Sequence, residues 1–502
     1  VKRFQLRPRT GWLVGLAVIA TASHAAIEDP VRIDTGLVAG GETSPSGVRV
    51  FRGLPFAAPP VGENRWRAPQ PVAPWKGVRD ASEFGNVCVQ HETEPRYVNI
   101  AHMEGSPPLS EDCLYLNVWT GAASADDALP VMVFFFGGAF TDGAGSAPLY
   151  DGTALAGRGA VVVTMNYRLG PFGFLAHPAL TAESEHKSSG NYGILDMVAS
   201  LEWVQRNIAA FGGDPDNVTI FGQSAGAMAI TSLMTSPLTE GLFQRAIAES
   251  IMGGGVSPNR SNATLAAQEE QGLMQAQAAG IETVEGLRAL STEEVAKTFR
   301  AQTMIVDNYV IPEDPAIVFA QGRQHPVDVL MGANAAELSF GGRRGPPGAS
   351  DGSDRIFWTA WRIAEYERAA GQNAFVYWFS RKSPAAEGHD PYLPVHASEV
   401  KYVFDNLGER PLFPDTSDPE LAAASTADQR LADEMASYWV NFARTGNPNG
   451  KGLPEWPAHA GLDSVNAAIL DADPASSSLP TLEQMQAQEA QLRQQLEPLL
   501  AP

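Results

Sequence analysis

VTIFGQSAGAMAI, residues 218–230, changes character at its midpoint. Val218, Thr219, Ile220 and Phe221 are strand formers, Gly222 ends the run, and Gly226 leads into a helix-like segment. Between the glycines stands one hydroxyl, Ser224, flanked by Gln223 and Ala225. A strand that closes in Gly-x-Ser-x-Gly and passes straight into a helix reads as a sharp turn exposing the serine. The glycines let the chain turn without Cβ clashes. The N–H groups at the helix start, that of Ala225 among them, face any negative charge that develops there. Because the chain holds 48 glycines, the five-residue pattern means little without the strand before it and the helix after it.

Outward from this turn, apolar runs recur at 129–136 (LPVMVFFF), 160–167 (AVVVTMNY), 327–332 (VDVLMG) and 374–380 (AFVYWFS). They are continuously apolar rather than alternating, as strands buried on both faces should be. Between two of them, 192–211 reads as a helix, with Leu195, Val198, Leu201 and Val204 near one face and Asp196, Glu202 and Arg206 off it. Strands alternating with helices predict an α/β sheet covered on both faces. A second glycine cluster, FFFGGAFTDGAGS (134–146), follows directly on a buried strand. An ordinary turn is its plain reading; its position favours backbone donors for an oxyanion, which an activated serine needs.

Composition narrows the class. Lys plus Arg is 35 against 57 Asp plus Glu, a net charge of −22, which argues against nucleic acid as a partner. At 44% hydrophobic the chain can bury a large core. The N-terminus has a basic head (Lys2, Arg3, Arg7, Arg9), a short apolar run from Gly11 to Ala22, and small residues at Ser23 and Ala25. This predicts a signal peptide over 1–25, an exported mature chain over 26–502 and no other membrane span. Val1 in the start position fits a non-AUG start and so a bacterial source. Cys88 and Cys113 are expected to pair in an oxidising compartment, two buried thiols being the alternative. GGRRGPPGASDGSD (341–354) reads as a loop, and 481–500 as a terminal helix docked on its own domain, with Thr481 and Gln484 forming a capping box. No HExxH, tight His/Cys cluster, dinucleotide or phosphate-loop pattern is found, so neither metal nor cofactor is expected.

Several segments together resemble one family, the type-B carboxylesterases, which include the cholinesterases. They are FRGLPFAAPPVGENRWRAPQP (51–71), SEDCLYLNVW (110–119), FFFGGAFTDG (134–143), the run 189–227 around Ser224, MGANAAELSF (331–340) and LPVHASEVKYVF (393–404). The likeness spans roughly 27–470 and looks nearest to exported bacterial members. It implies the α/β-hydrolase fold over one domain, 26–502, with a central, mostly parallel sheet. It also implies a Ser–Glu–His triad of Ser224, Glu337 and His396, oxyanion donors at Gly138, Ala139 and Ala225, and a Cys88–Cys113 disulfide. From the residues alone His389 and His396 compete equally.

The activity so implied is ester hydrolysis through an acyl-enzyme, with a small-molecule ester and water as partners, in a periplasmic or secreted monomer or weak homo-oligomer. Short-chain or aryl esters are the expected substrates. The alternatives are a large specialised ester, of pesticide, plasticiser or mycotoxin type, and a non-catalytic cholinesterase-like binding protein. Tyr97, His102 and Met103, between the cysteines, are expected at the entrance. Some positions depart from the family. Gln223 replaces glutamate, which should weaken attraction for cationic alcohols. Ala139 replaces a glycine, Phe136 a polar or tyrosine residue, and Leu338 and Ala397 replace glycines. The segment between Glu337 and His396 is short, which implies either a more open pocket or an impaired enzyme.

Overall fold

The structure, a computed structural model, describes residues 27–90, 106–252, 264–339, 352–382, 393–409 and 424–500. The expected signal peptide, Tyr97, His102, Met103, His389 and most of the 341–354 loop lie outside them.

Among the described residues the main sheet has nine strands: β1 (Arg49–Pro55), β2 (Tyr115–Thr120), β3 (Leu129–Phe135), β4 (Val161–Met165), β5 (Gly213–Gln223), β6 (Arg245–Glu249), β7 (Asp328–Asn334), β8 (Ala374–Phe379) and β9 (Ala468–Leu470). Their spatial order is β9-β8-β7-β6-β5-β3-β4-β2-β1. From β4 to β9 all neighbours run parallel, while β2 is antiparallel to both β4 and β1. Every residue of β4 and of β8 is buried, so both faces of the sheet are covered. This is why those strands read as unbroken apolar runs. A smaller three-stranded sheet, Val31–Ile33, Gly36–Gly40 and Val78–Ala81, is also present.

Five helices matter for the site: α1 (Tyr192–Asn207), α2 (Ala225–Leu233), α3 (Ser353–Ala369), α4 (Thr426–Thr445) and α5 (Leu482–Leu500). In α1 the expected face is corrected at one position. Asp196 is fully buried and holds Arg168 in a two-pronged ion pair at 2.7 and 2.8 Å, so a paired charge sits where solvent was expected. Helix α3 begins at Ser353, two residues inside the stretch read as a loop. Helix α5 forms as expected, with the Thr481–Gln484 capping box made in both directions at 2.7 and 3.2 Å. Its Glu489 meets Arg362 of α3 at 3.2 Å, docking the helix on its own chain. Cys88 and Cys113 are disulfide-bonded, their Cα atoms 4.9 Å apart.

The parallel strands share a carboxyl edge. Register pairs Phe135 with Gly222, Gln223 with Glu249, and Glu249 with Gly332. The segments that leave β3, β5, β6 and β7 therefore start side by side, where open α/β sheets carry their sites.

Candidate active site

Past the end of β5 the chain turns through Ser224 with φ 56° and ψ −119°, a conformation L-residues rarely adopt. The Ser224 N–H donates to the Glu249 carbonyl at 3.0 Å, and its carbonyl accepts from the Met228 N–H at 2.9 Å. A strand on one side and a helix on the other hold the strained residue in place. The flanking glycines serve a purpose the sequence reading had located inside the turn. A Cβ on Gly226 would lie 1.9 Å from the Phe135 carbonyl oxygen, and one on Gly222 2.5 Å from it. Both positions must lack a side chain so that α2 can settle against the end of β3.

The loop after β3 adjoins this turn: a Cβ on Gly137 would lie 3.0 Å from that of Ser224. Gly138, Ala139 and Phe140 all have positive φ, at 110°, 53° and 62°. The Gly138 carbonyl accepts from the N–H groups of Thr141 (2.9 Å) and Asp142 (3.2 Å) and from the Thr141 hydroxyl (3.0 Å). In a trans peptide the N–H points opposite to the C=O, so these three bonds turn the Ala139 N–H away from the loop's interior. Among the described residues the N–H groups of Gly138 and Ala139 donate to no protein acceptor. Ala225 opens α2, where an N–H has no intrahelical partner. Burial pushes the Asp142 carboxyl up to about 6, against the hydrogen bond from Thr141.

Three residues beyond β7, Glu337 is fully buried. Its Oε1 accepts the Asn334 N–H at 2.8 Å, and its own N–H donates to Ser353 Oγ at 2.8 Å. Its Oε2 lies 2.6 Å from His396 Nδ1, and the His396 N–H donates to the Glu337 carbonyl at 3.0 Å. A carboxylate at Nδ1 fixes the proton there and leaves Nε2 as the acceptor. Gln223 Nε2 lies 3.2 Å from His396 Nε2, so the amide N–H points at that lone pair. Burial by itself would lower the His396 pKa. The charge and hydrogen bond of Glu337, with the charge of Glu399, outweigh it and hold the imidazole above its ordinary range.

Glu337 and His396 thus pair at the sheet edge where Ser224 turns, with Gln223, the residue before the serine, touching the imidazole and Gly137 against the serine's Cβ. Two further carboxyls behind the imidazole were not singled out from sequence. Glu399 accepts from Ser250 Oγ at 3.1 Å and from the Asn334 amide, and Glu249 accepts from Trp439 Nε1 at 2.8 Å. Both are fully buried. Burial, with the charge of Glu337, pushes Glu399 up to about 7; burial, with the charge of Glu399, holds Glu249 well above the carboxylate range. The one sequence signal was position: Glu399 lies three residues past His396, and Glu249 ends a buried strand.

The carboxylesterase family model matches residues 28–355 and 352–491. Fumonisin B1 esterase of Sphingopyxis macrogoltabida is 36% identical over 493 residues, covering 89% of this chain and 88% of that protein. Para-nitrobenzyl esterase of Bacillus subtilis (strain 168) is 34% identical over 497 residues, covering 88% and 95%. Among solved structures, a PNB esterase superimposes with a TM-score of 0.75 at 31% identity, covering 93% of this chain and 99% of that one. The carboxylesterase of Geobacillus stearothermophilus gives 0.72 at 31% identity, covering 89% and 96%.

Proposed function

Since the chain belongs to the carboxylesterase family and is a carboxylic ester hydrolase, we propose that Ser224, His396 and Glu337 carry the reaction by two-step acyl transfer. The observation that carries this is the 2.6 Å contact of His396 Nδ1 with buried Glu337, beside the strained turn that presents Ser224.

His396 Nε2 takes the Ser224 proton as Oγ attacks the ester carbonyl, and the imidazolium then gives that proton to the departing alcohol. Glu337 keeps the proton on Nδ1 and stabilises the imidazolium. The N–H groups of Gly138, Ala139 and Ala225 receive the tetrahedral oxyanion, for which they have no competing acceptor among the described residues. Water, deprotonated by His396, attacks the acyl-enzyme carbonyl, and the imidazolium returns that proton to Ser224 Oγ as the bond to serine breaks and the carboxylic acid leaves. Because the surroundings hold His396 above its ordinary range, activity rises with pH through an acid limb above about 6.5.

Short-chain or aryl esters are the first reading of the substrate. A bulky natural ester is the second, favoured by the likeness to fumonisin B1 esterase. The non-catalytic reading loses its ground in a family member that keeps serine, glutamate and histidine at these positions. We further read 26–502 as one exported domain. The disulfide supports export, and among the described residues no helix is long and apolar enough to cross a membrane.

A fluorophosphonate should label the protein at Ser224, and Ser224→Ala should lower kcat by about 10⁴-fold or more. Full activity in Ser224→Ala would overturn the assignment. A panel of chromogenic esters of graded acyl and alcohol size then separates the substrate readings, since the second requires kcat/KM to rise with bulk.

A further inference from the structure

We propose that Gln90 is a positioning residue for the oxyanion donors, acting through Gly143; this rests on the reading of Gly138 and Ala139 given above. The Gln90 side chain is buried, 8% exposed, and its amide makes three hydrogen bonds. Oε1 accepts the Gly143 N–H at 3.0 Å, while Nε2 donates to the Gly143 carbonyl at 3.0 Å and to the Cys88 carbonyl at 3.1 Å.

The two bonds to Gly143 satisfy both backbone polar groups of one residue. That is how a strand residue exchanges bonds with its partner in an antiparallel ladder, with a side-chain amide here playing the neighbouring strand. The amide has one workable orientation, because rotating it by half a turn would set oxygen against two carbonyls and N–H against N–H. No other side chain of this length offers a donor and an acceptor side by side: a carboxylate cannot donate, and an aliphatic chain does neither.

Gly143 directly follows Asp142, whose N–H is one of the three donors on the Gly138 carbonyl. Those donors turn the Ala139 N–H away from the loop's interior, the orientation an oxyanion donor needs. Holding Gly143 therefore holds the turn that aims the oxyanion donors. The return limb has a second tie two residues on, where the Gly145 N–H donates to Asn166 Oδ1 at 2.9 Å. The Gln90 tie is the nearer one to the donors, and it runs to a rigid point. Gln90 lies two residues past Cys88, which is both disulfide-bonded to Cys113 and paired as a strand, Val87–Cys88 against Leu109–Ser110. The disulfide thus anchors, through one amide, a loop to which it has no covalent connection.

The test compares wild type, Gln90→Ala and Gln90→Glu, with active sites counted by exhaustive fluorophosphonate titration so that misfolded protein drops out. The readouts are kcat per site, KM, the affinity of a trifluoromethyl ketone, which forms an oxyanion adduct on the serine, and the affinity of the carboxylate product. Misplacing donors by up to about an ångström lowers kcat per site about 10- to 100-fold in Gln90→Ala. KM should stay within about threefold, and ketone affinity should fall in parallel with kcat/KM while product affinity holds. Gln90→Glu, which keeps the acceptor but sets a carboxylate oxygen against the Gly143 and Cys88 carbonyls, should lose at least as much as Gln90→Ala. Should Gln90→Ala yield no titratable sites, Gln90→Glu decides by itself. The proposal is overturned if kcat per site stays within twofold of wild type, or if ketone and product weaken equally. A wild-type protein that the fluorophosphonate leaves unlabelled would instead overturn the reading of Ser224, before any variant is compared.

Discussion

The nucleophile side and the base side of this site are built from different materials. On the nucleophile side the shape is held in the backbone. Gly138, Ala139, Phe140 and Ser224 all have positive φ, and the groups proposed above to receive the oxyanion are main-chain N–H groups. On the base side the shape is held by side-chain carboxyls: Glu337, bonded to His396, Glu399, whose charge acts on it, and Glu249, which feels Glu399, are each fully buried. Positive φ occurs there too, at Ser250 and Ala397, but the atoms that touch the imidazole are carboxylate and amide atoms. A side set by dihedral angles should answer mutation in rate. A side set by charge should answer in its dependence on pH.

The largest effect is expected where the two sides depend on each other. Glu337→Gln keeps the size of the side chain and removes the charge that fixes the His396 tautomer. By the precedent of such triads, kcat should fall about 10⁴-fold. A loss under tenfold would mean the imidazole is held by its surroundings rather than by this carboxylate, and the division between the two sides would fail.

The two sides also differed in how far sequence revealed them. Ser224 could be found from thirteen consecutive residues, because strand, turn and helix are local and each leaves its own pattern. The floor of the sheet was equally open to reading, since β3, β4, β7 and β8 are apolar on both faces. The base side was not. Nothing local separates His396 from His389, and only the family resemblance chose between them. Glu249 and Glu399 went unnoticed because a glutamate's burial depends on what folds over it from far away: Trp439 in one case, Ser250 and Asn334 in the other. Asp196 was misplaced for the same reason, its partner Arg168 lying outside the helix that was being read.

On the nucleophile side, Gly138→Ala is the sharper probe. A Cβ there would lie 2.1 Å from the Asp142 carbonyl oxygen, on a backbone with φ 110°. The loop must move, and the Gly138 and Ala139 donors move with it. Loss of a well-placed donor costs about 10²–10³ in kcat. Measured per titrated site, the loss should be of that order, with the acid limb of the pH profile unmoved. A shifted limb would show that the loop feeds charge to His396 and would blur the distinction.

Gln223→Glu makes the opposite test, because Gln223 sits on the nucleophile's own turn yet touches the imidazole at 3.2 Å. A carboxylate there stabilises the imidazolium and raises its pKa, by at least about one unit for a charge this close. The base must be neutral to act, so activity should begin to fall at a higher pH as the solution is acidified. The kcat/KM profile should move up by about one unit, and KM for cationic choline-type esters should drop relative to neutral ones. An unmoved profile would mean that Gln223 only packs against the ring.

The smallest expected effect concerns the carboxyls furthest from the reacting atoms. Glu249 is held well above the carboxylate range, by burial first and by the charge of Glu399, while Glu399 is pushed up to about 7. A carboxyl whose folded pKa exceeds its unfolded one contributes stability that is fully present below the unfolded value, near 4.3, and is lost as pH rises through the folded one. Wild-type stability should therefore decline from about pH 4.3 upward, the Glu399 part being spent by about pH 7 and the Glu249 part continuing beyond it. Glu249→Gln leaves Oε1 to accept from Trp439 and removes the buried carboxyl whose ionisation burial and the charge of Glu399 oppose, so its share of the decline disappears. Comparing Tm at pH 6 and pH 9, the variant should lose about 2 °C less than wild type. Parallel pH dependence in the two proteins would mean that the pair sheds its charge some other way, and that the base side draws its pH response from Glu337 and His396 alone.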